Sequence, residues 1–74
     1  MNQRYSEISR TSKEGAHLQD YDSVADAARQ MIKLHDVGND KLSERARVIR
    51  VAGYISDCLG GFIPSAYGFD WKYK

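Results

Sequence analysis

The chain reads as a small α+β domain of order ββααβ, a three-stranded antiparallel sheet with two helices on one face. Three observations predict it. Residues 23–37 repeat apolar side chains at helical spacing, and the last six residues alternate strictly between aromatic and charged. The first 22 residues are polar, with a glycine-containing turn between two short runs that suit a hairpin. The alternative arrangement is a mainly helical hairpin carrying a flexible N-terminal arm.

Seventy-four residues provide for one domain, 1–74, and one core. The run VIRVAGYISDCLGGF, Val48 to Phe62, is the most apolar in the chain, and within it only Arg50 and Asp57 are charged. Its side chains are expected to form most of that core.

In residues 1–22, RYSEIS and AHLQDY are candidate strands around Ser12-Lys13-Glu14-Gly15, with the glycine where a positive φ is wanted. Tyr5, Ile8, Ala16, Leu18 and Tyr21 are the apolar groups available to hold them. Over residues 23–37, Val24, Ala27, Ala28, Met31 and His35 form a helical stripe widened by Ile32 and Leu34. Ser23 followed by Asp26 reads as a capping box, with Asp22 a rival N-cap, and Gly38 as the C-terminal stop.

The second helix is expected over residues 41–59, starting near Asp40 or Ser43 and ending at Gly60-Gly61. Leu42, Ala46, Ile49, Ala52 and Ile55 fall on one side, broadened by Val48, Val51, Cys58 and Leu59. Ser43, Arg47, Arg50, Tyr54 and Asp57 share a polar strip. RVIRVAGYIS is rich in β-branched residues and reads alternatively as a buried strand over residues 46–56. Helix-forming Glu44, Arg45 and Ala46 lead in, and the span exceeds a typical strand, which favours helix. Gly53 costs such a helix about 1 kcal/mol relative to Ala, and a close crossing over Ala27 and Ala28 would explain it. Residues 67–74 complete the sheet as its third strand.

Several chemistries lack their residues. His17, His35 and Cys58 are far apart with no metal-ligand spacing, and Arg47 stands where a calcium loop opening at Asp36 needs its closing glutamate. No metal or cofactor is expected. Cys58 falls in the apolar run, His35 on an apolar stripe, and Asp20 and Asp22 at a helix start, where acids are ordinary. Gly60-Gly61 lacks any phosphate-loop context. The chain is expected not to be an enzyme. A lone cysteine, no apolar leader and no run of about 20 apolar residues predict a cytoplasmic protein without a membrane partner.

The net charge is +1, but residues 1–40 hold five basic against seven acidic groups and residues 41–74 hold six against three. Nucleic-acid binding is therefore the alternative function, through Lys41, Arg45, Arg47 and Arg50 at the basic start of the second helix. Tyr5, Tyr67, Trp71 and Tyr73 would stack on bases. Those cations do not share one face, and Glu44 interrupts them. The favoured expectation is a non-enzymatic protein-binding module, a regulator, adaptor or inhibitor of the kind phages and other mobile elements often carry. Its partner is expected to be another protein, with a homodimer seam as a further use of the same surface. The candidate contacts are Trp71, Tyr73 and Tyr67, then Arg47, Arg50 and Tyr54, because Tyr, Trp and Arg dominate interface energetics.

Overall fold

The computed structural model describes residues 7–38 and 41–74. The expected strand residues 4–6 and the turn residues Asn39 and Asp40 lie outside them. The elements are β1 (Ile8–Thr11), β2 (His17–Tyr21), α1 (Val24–His35), α2 (Glu44–Leu59) and β3 (Asp70–Tyr73). They form an α+β domain whose antiparallel sheet has the order β2-β1-β3, so the last strand lies beside the first.

The hairpin forms as its turn chemistry directs. Ser12 N donates to Ala16 O (2.8 Å) and Gly15 N to Ser12 O (2.9 Å), with Gly15 at φ 92°. Leu18 is the extra residue of a bulge, because Arg10 pairs with Gln19 while Thr11 pairs with His17. In the register, Ile8 faces Tyr21 and Tyr73, and Arg10 faces Gln19 and Trp71. That row is the inner face, and Ile8, Tyr21 and Trp71 are buried in it. The alternation in the last strand is followed only in part: Trp71 is buried, whereas Tyr73 in the same row is 41% exposed, and the strand begins at Asp70 rather than at residue 67.

Ser23 caps α1, its hydroxyl accepting from Asp26 N at 3.1 Å. The stripe buries Val24, Ala27, Ala28 and Met31, whereas His35 and Leu34 stay exposed. The helix stops one turn-residue earlier than expected. Asp36, not Gly38, adopts the left-handed C-cap (φ 51°), and its N–H bonds Ile32 O at 3.1 Å. Gly38 serves a different purpose: a Cβ there would stand 3.1 Å from both Arg47 Cγ and Val51 Cγ2. The missing side chain lets α2 come in close.

Residues 46–56 are helical throughout, in place of the rival strand. Ser43 caps α2 by accepting from Ala46 N (3.3 Å), so Leu42 precedes the helix. Val51 and Ile55 are its fully buried residues, with Val48, Ala52, Cys58 and Leu59 packed beside them. The expected stripe is thus rotated. Ile49 is 64% exposed and Ala46 is outside the core. Gly53 does not sit at the helix crossing either, for no atom beyond its own helix lies within 4 Å of where its Cβ would stand.

The outer face of the sheet is polar. Asp20 Oδ1 accepts from Ser9 Oγ and from His17 Nε2, both at 2.7 Å, and Lys74 Nζ reaches Asp20 Oδ2 at 3.0 Å and Glu7 Oε2 at 3.3 Å. The bond from His17, then those from Ser9 and Lys74, hold the Asp20 carboxyl well below the usual carboxylate range.

Two predictions follow from this packing. Trp71→Ala should destabilise the domain by about 3–5 kcal/mol, and Trp71→Phe, which gives up part of the ring volume and the Nε1 bond to Ala66 O, by about 1–3 kcal/mol, in denaturant titrations. Because the folded-state pKa of Asp20 is depressed, its contribution is present above about pH 4 and is lost as the pH falls below that. Asp20→Asn should therefore flatten the acid limb of a plot of Tm against pH, and an unchanged acid limb would remove the network from the stability of the fold.

Candidate functional site

The six residues singled out by the sequence separate into three places. Trp71 is core: it is 3% exposed, its ring lies 5.9 Å from that of Tyr21, and its Nε1 donates to Ala66 O at 3.0 Å. An indole so enclosed has no surface to offer a partner. Arg47 is likewise committed. Its side chain is 15% exposed, Nε donates to Val37 O (2.8 Å) and Nη2 to Asp36 Oδ1 (2.7 Å), so it clasps the end of α1 rather than facing outward. Tyr73 is exposed in β3 opposite Ile8, apart from the helix candidates.

The remaining three, Arg50, Tyr54 and Tyr67, come together. Arg50 and Tyr54 lie one turn apart on α2 and therefore share a face. Tyr67 reaches them through a tight turn, in which Ala66 and Phe69 exchange both backbone bonds (3.0 and 3.1 Å). The two central residues, Tyr67 (φ 54°) and Gly68 (φ 85°), are both left-handed, as a primed hairpin turn requires. Glycine meets that requirement freely; a tyrosine pays about 1–2 kcal/mol for it. The result is an edge-to-face aromatic pair, with the Tyr54 and Tyr67 rings 5.7 Å apart at 78°. Tyr54 is 50% exposed, and the Tyr67 hydroxyl is buried without a partner among the described residues. Burial raises the Tyr67 phenol above its ordinary pKa, helped by Tyr54 and opposed by the Arg50 charge.

The outward side of α2 continues this cluster. Gly53 stands between Ile49 and Asp57, all three exposed, and the side chains of Arg50 and Asp57 have no hydrogen-bond or ion-pair partner among the described residues. Beyond Ile49 an open groove of about 530 Å³ separates the helices, lined by Ala25, Arg29, Glu44, Arg45, Val48 and Ile49. Arg45 on that rim and Arg50 beside Tyr54 sit on opposite flanks of α2, so the basic start of the helix presents no continuous cationic strip.

Sequence reasoning did not anticipate Ile49 or Gly53 as surface. The signal was present in the spacing Ala46, Ile49, Gly53, Ser56, a second stripe offset from the core stripe. It also missed Arg10, which points inward, with its guanidinium 4.4 Å from the Phe69 ring centre and Nη1 donating to His35 Nε2 at 3.2 Å. No three His, Cys, Asp or Glu side chains converge among the described residues, and no described helix is long and apolar enough to cross a membrane. No family model matches the chain, and no curated protein and no solved structure matches it either.

Proposed function

We propose that this chain is a small non-enzymatic protein-binding module that works by covering a partner surface with the outward face of α2. The observation that carries this reading is the Tyr54–Tyr67 pair, in which the half-exposed Tyr54 packs on a left-handed Tyr67 beside Arg50, an exposed cation with no hydrogen bond or ion pair among the described residues. Tyrosine and arginine around a desolvatable patch are the composition of interface hot spots. Gly53 supports it, because an exposed helix position with open space gains nothing from glycine unless something must approach the backbone closely. Regulation, adaptation or inhibition would each follow from occupying such a surface. A reducing compartment such as the cytoplasm suits the single, half-buried Cys58. The divergent placement of Arg45, Arg47 and Arg50 favours a protein over a nucleic acid, since a phosphate backbone is met by cations that converge.

Gly53→Ala should raise stability by about 1 kcal/mol, because the new methyl meets nothing and the helix gains propensity. Gly53→Gln should also fold, yet lose binding, because its longer side chain stands on the middle of the face. The test is photo-crosslinking from a benzophenone amino acid at position 54 in host lysate treated with nuclease. The expected result is one protein adduct, absent in Gly53→Gln and in Arg50→Glu. Adducts that disappear with nuclease, or that persist in both variants, would overturn the reading.

A further inference from the structure

We infer that the partner of this face is a second copy of the chain, docked antiparallel along α2 about a two-fold axis. This rests on the reading above and names its occupant. Ala46, Ile49, Gly53 and Ser56 recur at three-four-three spacing, the seam of a two-helix coiled coil, and Arg50 and Asp57 occupy the same flanking position one heptad apart. Arg50 lies three residues before Gly53, and Asp57 three residues after Tyr54. Two α2 helices reversed about the middle of Gly53-Tyr54 therefore set Arg50 of each copy opposite Asp57 of the other, twice.

Both side chains are exposed and make no hydrogen bond or ion pair among the described residues, so the pairing breaks no such bond inside the domain. In the same register Gly53 lies between Gly53 and Ser56 of the second copy, and the 64%-exposed Ile49 between its Ser56 and Gly60. Glycine at the centre brings the helix axes close enough for that isoleucine to be covered. The parallel arrangement has no such complementarity. It sets Arg50 against Arg45 of the second copy and leaves Asp57 opposite the uncharged Ala52. Like charges across an interface suppress that alternative.

The test is sedimentation equilibrium of the full chain from micromolar to millimolar concentration, with circular dichroism to verify folding of each variant. Wild type is expected to move from monomer to dimer across the range. Arg50→Asp alone and Asp57→Arg alone place like charges opposite each other twice, and each should weaken self-association by roughly tenfold or more. An equimolar mixture of these two variants restores both opposite-charge contacts between unlike chains, so it should dimerise as wild type does. A wild type that stays monomeric, single variants that self-associate normally, or a mixture that remains monomeric would each overturn the inference. A monomeric wild type whose crosslink to another protein is still lost in Gly53→Gln would remove the second copy while leaving the protein-binding face in place.

Discussion

The fold depends on Trp71 being carried back to the first strand. With the order β2-β1-β3, the sheet has no third member until the segment after α2 returns beside Ile8–Thr11. A hairpin of four- and five-residue strands is barely stable alone. The indole makes the return worthwhile, since it fills the core against Tyr21 and its N–H is satisfied by Ala66 O inside the same returning segment. The bond also ties β3 to the turn that begins it, so that Tyr67 is placed by the same interaction that closes the core.

The rotation of α2 about its own axis is fixed elsewhere. Gly38 admits the helix to within contact of Arg47 and Val51, and Arg47 then satisfies Val37 O while pairing with Asp36 at the end of α1. The pair with an exposed Asp36 contributes little in water, whereas the charge-assisted bond to a carbonyl next to the helix end fixes geometry. With Arg47 and Val51 turned inward, positions 49, 50, 53 and 57 must turn outward. The interaction face is therefore a consequence of how the helices are clasped.

This explains what was legible in the sequence and what was not. Element order, the Ser23 cap, the Gly15 turn and the inward set of β3 all follow from local patterns, because each is decided by neighbours within a few residues. The facing of α2 is not decided that way. Val48, Ile49, Val51 and Ile55 spread apolar side chains over nearly half of its circumference, so periodicity alone admits two stripes. Packing against Gly38, α1 and β3, nine or more residues away in the chain, selects between them. Arg47 and Arg10 were hidden for a related reason. Arginine is amphipathic, and whether its stem is covered depends on partners that the chain supplies from afar.

Local costs in this domain gather at α2, although Asp36 at the end of α1 also takes a left-handed backbone and Arg10 Nε is buried without a hydrogen-bond partner among the described residues. The helix caps, the Trp71 indole and the outer face of the sheet are satisfied, and a minimally frustrated sequence would leave α2 in the same state. Instead, a glycine interrupts the exposed middle of that helix, a tyrosine takes a left-handed backbone beside the helix, and an arginine and an aspartate one heptad apart make no hydrogen bond or ion pair among the described residues. Each feature is unfavourable or idle in the isolated domain, and each becomes useful when a second surface covers α2: close approach for the glycine, desolvation for the aromatic pair, opposite charge for the ions. Where several departures from local rules gather on one face, function is the economical explanation for that face.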